Sequence, residues 1–416
     1  MDGDQARDGF TAAGLAEIPK LLQAAVDAGD LAGMVTLIWR KGEVVQVNAT
    51  GYRDLEAHAP ITRDTMFRIA SMTKPVTSVA ALMLIEEGKL KLDDPITRWI
   101  PELANLQVLR DPSGSLDDTV PAARDITVND LLTHRGGLAY AFSASGPLAQ
   151  AYEARLGPPL GAPQSPDHWL KALGTLPLML PPGQTMHYSH ASEVLGFLVA
   201  RIEGKTLGQV LQDRIFGPLG MKDTAFFCPP GKRNRMAKLY RMDLETGKLV
   251  DNSMPHSDRS PAFESGGGGL ISTADDYLRF ARMLLGKGEV DGVRLLKPAT
   301  VETMTANHLT EAQLQQPFLG MPYWMSQGFG LGVSVITDAE KHAWMGAGSN
   351  GAFGWPGAFG TWWQADPAED LIAIYLIQDS MPLSPGSVSA NTERRVSTAR
   401  AVQPAFLKAI YAALGK

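Results

Sequence analysis

Strand-forming segments in this chain are confined to its two ends, and that placement restricts the folds open to it. Residues 33–40 and 43–49 are β-rich and joined by Lys41-Gly42, a two-residue hairpin signal with a glycine free to take positive φ. The next β-like runs come only at 328–336, 351–359, 361–366 and 371–378. Between about 90 and 255, Pro101, Pro112, Pro121, Pro147, Pro158, Pro159 and Pro163 interrupt short helical stretches at 127–132, 168–173 and 192–202. A sheet therefore has to be assembled from the two termini. Helices predicted at 12–29 (Leu15, Ile18, Leu21, Leu22 and Val26 on one face), 76–87 and 396–414 would cover it. The expected architecture is α/β of the α+β type, an antiparallel sheet flanked by helices. Residues 1–90 and 256–416 form a split α/β domain, and residues 91–255 a mostly helical inserted domain. The active-site cleft lies between them.

Composition removes several function classes. Thirty-eight basic against 44 acidic residues leave a net charge of −6, so nothing draws the chain to nucleic acid. No apolar run approaches the ~18 residues of a membrane helix, and no membrane association is expected. Cys228 is the single cysteine, which excludes intrachain disulfides and CxxC sites. The N-terminus, Met1-Asp-Gly-Asp-Gln-Ala-Arg-Asp8, has no basic segment followed by an apolar one, so a cytoplasmic location is expected.

The sharpest chemical feature is Ser71-Met-Thr-Lys74 at the head of the 76–87 helix. Residues i and i+3 share a helix face, so Ser71 Oγ and Lys74 Nζ can meet. Pro75 conflicts with a helical carbonyl at residue 71, so regular helix should begin near 72–73 and leave Ser71 at the entrance. Free N–H groups and the helix dipole favour negative charge there. Serine attacks only when a base takes its proton, and a desolvated lysine can serve. Taken alone, the motif is common by chance and more often marks a capping serine beside a surface lysine. Tyr188, in Tyr188-Ser189-His190 before the 192–202 helix, could act as a phenolate base beside a lysine; alone it reads as a buried tyrosine. The third feature is Phe353-Gly-Trp-Pro-Gly-Ala-Phe-Gly-Thr361, whose glycines permit close backbone approach to a ligand and an oxyanion-binding N–H.

In this order the three motifs resemble the serine β-lactamase-like superfamily, and within it the family VIII carboxylesterases related to class C β-lactamases. Leu131-Leu-Thr-His-Arg-Gly-Gly-Leu138, Phe216-Gly-Pro-Leu-Gly-Met221 and Ser265-Gly-Gly-Gly-Gly-Leu-Ile-Ser-Thr273 support the likeness over most of the chain. The resemblance implies a β-lactamase-like fold and a catalytic set of Ser71, Lys74 and Tyr188. It places the oxyanion hole at the N–H groups of Ser71 and Ala358, and substrate contacts at His190, Trp355 and Gly357. It implies hydrolysis of short-chain carboxylic esters through an acyl-serine, with weak β-lactam hydrolysis. The substrate is a small-molecule ester, and neither cofactor nor metal is called for. Acyl transfer by the same intermediate is the alternative, followed by a β-lactamase or D-alanyl-D-alanine peptidase and a non-catalytic ligand-binding relative. His190 stands where the family has asparagine, and Trp355-Pro356-Gly357 lacks the family's Lys or His cation. Trp355 is expected to present an apolar wall instead, which favours neutral esters over β-lactam acids.

Other features point to structure rather than chemistry. His187 and His190 have metal-like spacing but no further ligands. Gly266–Gly269 lacks the Gly-Lys-Ser/Thr of a phosphate loop, and Ser349 in Ala347-Gly-Ser-Asn-Gly351 lacks a nucleophile elbow. Lys232-Arg-Asn-Arg235 reads as a solvated loop, Ser272-Thr-Ala-Asp275 as a capping box, and at most one of Trp362 and Trp363 should face the core.

Overall fold

The computed structural model describes residues 8–415 except 159, 161, 244, 256, 258 and 381–389. Residues 1–7, read above for a leader, and Pro159 lie outside the described residues.

Among the described residues the two ends of the chain build one eight-stranded antiparallel sheet. Gly33–Arg40 lies inside it, paired on one side with Leu371–Ile377 (Leu37 opposite Ile374) and on the other with Glu43–Asp54. Lys41 and Gly42 both take positive φ, +48° and +96°, the geometry of a type I′ turn whose twist suits a hairpin. The second hairpin strand runs to Asp54 rather than stopping at residue 49, because Gly51 must still pair with Gly33.

Every residue of Gly33–Arg40 and Leu371–Ile377 is buried, so the sheet is covered on both faces. Met34, Ile38, Ala373 and Tyr375 pack under the terminal helices Ala12–Asp27 and Ala390–Ala413. Val35, Leu37, Ile372 and Ile374 face the other way, toward Thr73–Glu86 and Ala274–Leu285. Double coverage also decides the tryptophan pair: Trp363 is buried in the second layer, and Trp362 is half-buried against the first rather than left in solvent.

Two local expectations shift. The cap of Ala274–Leu285 is Thr273, whose side chain accepts the Asp276 N–H, one residue on from the expected box. The strand expected over 351–359 shrinks to Phe353–Gly354. Pro356 has no N–H for a ladder, and Gly357 N–H turns back to the Thr361 carbonyl at 2.7 Å, so residues 355–360 form a turn. Lys232 and Arg235 are not merely solvated: both pair with Asp223 at 2.7 Å. No described helix is long and apolar enough to cross a membrane.

Candidate active site

Pro75 sets where the helix begins. Ala70–Met72 form a single 3₁₀ turn, and α-helix starts at Thr73. The first intrahelical bond is Met72 N–H to Ile69 O, and the Ser71 N–H at the helix mouth makes no hydrogen bond among the described residues. Ala70 holds φ = +44°, a strained value for a residue with a Cβ. Four contacts hold the turn in place. Thr361 Oγ1 donates to Ile69 O, Tyr277 OH donates to Met72 O, Thr73 Oγ1 accepts Leu270 N–H, and Thr77 Oγ1 donates to Gly266 O.

Three side chains converge on this turn. Lys74 Nζ lies 3.1 Å from Ser71 Oγ and donates at 2.6 Å to the Gly267 carbonyl. The Tyr188 and Ser71 hydroxyls are 2.8 Å apart. Lys74 is 1% exposed, Tyr188 8%, and Ser71 is half-buried. The ammonium also sits 4.6 Å from the Tyr188 ring centre and 5.5 Å from that of Tyr140. Helix entry therefore supplies the serine, the first helical turn the lysine, and the approach to a second buried helix, Ala191–Glu203, the tyrosine.

Trp355 departs from expectation. It is 1% exposed, enclosed by Phe318, Tyr323 and Phe329, and its Nε1–H donates to Tyr188 Oη at 3.3 Å. The indole is thus a polar partner of the tyrosine rather than a wall facing solvent. Gly357 brings backbones together: a Cβ there would overlap Ile69 O and Thr361 Oγ1. Ala358 is exposed, and its N–H makes no hydrogen bond among the described residues.

His190 lies behind the site. It is 2% exposed, packed among Tyr140, Tyr152 and Trp169, with Nδ1 3.7 Å from Glu193 Oε2. The aromatic enclosure keeps it from the cleft surface. Glu193 is the residue sequence reading passed over. Burial would raise its pKa, but His190 and the Lys74 charge hold it down to about 2. Tyr140 OH donates to this carboxylate, with burial and then the Glu193 charge raising the phenol's pKa well above its ordinary value. Ser265 Oγ donates to it as well. An acidic residue in the first turn, directly before the buried apolar run Val194–Val199, was the available signal.

The remaining candidates take structural places. His134 of the Leu131–Leu138 signature packs 4.9 Å from the Tyr188 ring, with its pKa lowered to about 3 by burial and then by Lys74. It is a neutral ring whose Nδ1 accepts the Ser189 N–H. His187 Nε2 lies 3.1 Å from Ser143 Oγ, and no metal-ligating cluster occurs among the described residues. Gly266, Gly267 and Gly268 leave room for Ser192 O, the Glu193 carboxylate and Leu160, which explains the run without a phosphate. Ser349 lies in a turn tied by its N–H to Asp366.

The Beta-lactamase family profile matches residues 18–395. The chain belongs to the Beta-lactamase family. Protein Rv1367c of Mycobacterium tuberculosis is 51% identical over 94% of this chain and 96% of that protein. Esterase EstB of Burkholderia gladioli is 31% identical over 83% of this chain and 86% of EstB. Among solved structures, EstCE1, described as a hydrolase with promiscuous acyltransferase activity, superposes with a TM-score of 0.74 at 28% identity. That match covers 93% of this chain and 98% of EstCE1. This Beta-lactamase family chain is accordingly a serine-hydrolase-type enzyme with the antiparallel-sheet fold of its relatives.

Proposed function

We propose that the chain is a serine esterase that cleaves short-chain carboxylic esters through an acyl-Ser71 intermediate. The observation that carries this reading is the convergence of Lys74 Nζ and Tyr188 Oη on one serine oxygen. Ser71 Oγ attacks the ester carbonyl, and its proton passes into the Tyr188–Lys74 pair. The N–H groups of Ser71 and Ala358 hold the oxyanion. The alcohol leaves with a proton returned through Tyr188, and water then releases the acid from Ser71. The likeness to EstB and EstCE1 supports an ester substrate. EstCE1 also favours a second reading, in which another alcohol replaces water and the acyl group is transferred.

The test is intact-mass analysis after brief exposure to a panel of p-nitrophenyl esters and β-lactams. We expect one acyl adduct, on Ser71, formed with esters and absent in Ser71→Ala. Full ester turnover by folded Ser71→Ala, or an adduct mapped to Ser349, sinks the assignment.

A further inference from the structure

A cavity of about 380 Å³ adjoins the nucleophile's turn on its oxyanion side. Phe226, Phe227, Met254, Phe263 and Phe359 give it an apolar lining. Two contacts join it to the site, although Ser71 itself is not part of the lining. Phe359 directly follows Ala358, and Leu160, Met254 and Phe359 pack in one cluster with Ala70, the residue before Ser71. Gly268, also in the lining, lies against the Ala70 backbone.

Arg68 is the single charged residue among the described lining residues. Its backbone is fixed: it pairs with Ile271, and both its N–H and its carbonyl are bonded by the Gln378 amide. Its neighbours Phe67 and Ile69 are fully buried, while Arg68 is half-buried at the cavity. Among the described residues its guanidinium has neither a hydrogen bond nor an ion pair. The nearby basic turn is satisfied differently, with Lys232 and Arg235 on Asp223. Burial pulls the Arg68 guanidinium below its ordinary pKa, with only the Cys228 thiol acting in the opposite sense. A fork of five donors beside an apolar cavity, left without an acceptor, is an incomplete pair. Carboxylates complete it best, by two parallel hydrogen bonds.

We propose that Arg68 binds a carboxylate on the ester substrate, so that the enzyme acts on esters carrying an acid group beyond an apolar spacer. This rests on the esterase reading above and names its substrate class. It also supplies the cation that the third motif lacks, from three residues before the nucleophile rather than from position 355.

The test compares each acid with its own methyl ester, so that every enzyme is its own control. Mono-p-nitrophenyl adipate carries the carboxylate on the acyl side, and p-acetoxyphenylpropionate carries it on the alcohol side. For the wild type we expect kcat/KM for the free acid to exceed that for its methyl ester by about 10- to 100-fold on one arm, which then identifies the side. In Arg68→Met the ratio should collapse toward one, and Arg68→Lys should keep part of it. The thermal midpoint of Arg68→Met should not fall, because an unpaired, desolvated charge is removed. Three outcomes overturn the proposal on its own. The acid preference could persist in Arg68→Met. Arg68→Met could lose stability and slow acid and methyl ester alike, which marks a structural arginine. The wild type could show no acid preference on either arm while the methyl esters still acylate Ser71, which leaves the esterase reading standing. If no ester acylates Ser71, the esterase reading fails and the proposal with it.

Discussion

Ser71 Oγ stands between two groups that can each hold its proton, and the surroundings of those groups decide what the serine can do. Lys74 is pinned to the Gly267 carbonyl at 2.6 Å, so one of its three donor positions is committed and its aim toward Ser71 is fixed. Tyr188 receives the Trp355 Nε1–H at 3.3 Å. The indole thus donates to the same oxygen that meets Ser71 and fixes where the tyrosine hydroxyl points. Trp355→Phe keeps the ring volume in the aromatic cluster and removes that donor. We expect kcat/KM for a short p-nitrophenyl ester to fall by roughly 10-fold. A kcat/KM equal to that of the wild type would falsify this role for the indole. The sequence reading puts an apolar wall at Trp355, whereas the structure buries the indole and turns its Nε1–H to Tyr188. Whether an indole faces substrate or tyrosine depends on Phe318, Tyr323 and Phe329, which pack around it from a different part of the chain.

At the scale of elements, the site is a junction of a helix entrance, a buried helix and a glycine loop. Thr73–Glu86 and Ala191–Glu203 pack against each other, and the Ser265–Gly269 loop runs between their starts. Small residues are required there, since a Cβ at Gly266 would stand 2.7 Å from Ser192 O and one at Gly267 would overlap the Glu193 carboxylate. Glu193 in turn receives Tyr140 and Ser265, so one buried carboxylate ties the loop to the helix behind Lys74. Gly267→Ala should therefore shift both the loop carbonyl and the lysine bound to it. The expected stability loss is about 1–3 kcal/mol, as for other overpacked interiors. The expected kcat loss exceeds the change in KM, because a positioning contact rather than a substrate contact is disturbed. Steady-state kinetics with a thermal melt checks both, and a variant destabilised with kcat intact would separate the loop from catalysis.

Across the whole molecule, the last strand of the sheet is the link between the terminal halves and the site. Leu371–Ile377 lies beside Gly33–Arg40, and the residues that follow it clamp the catalytic region: Gln378 holds both backbone groups of Arg68, and Asp379 N–H donates to the Phe359 carbonyl. Asp379 is 4% exposed, its Oδ1 has no partner among the described residues, and burial raises its pKa from 3.8 to about 7. The folded state thus holds this proton more tightly than the unfolded chain. Its contribution to stability is present at pH 4 and lost as pH rises toward 7, on the order of 2–4 kcal/mol in all. Asp379→Asn should flatten the fall in thermal midpoint between about pH 4 and 7 and be the more stable protein at pH 8. Parallel pH dependence in both proteins would show that Asp379 does not titrate in this window. What the sequence determined by itself was everything written in local spacing: the Lys41-Gly42 hairpin, the helix start imposed by Pro75, the Ser71–Lys74 face and the need for the two ends to share a sheet. These depend on backbone geometry within a few residues, or on a pattern whose apolar faces admit one pairing. Tertiary structure alone decided that His190 is interior, that Trp355 donates to Tyr188, that Glu193 is an ionised anchor and that Arg68 meets a cavity with no partner among the described residues. Each of those outcomes turns on which distant side chains close around a polar group. Desolvation and pairing are set by neighbours that no local pattern names.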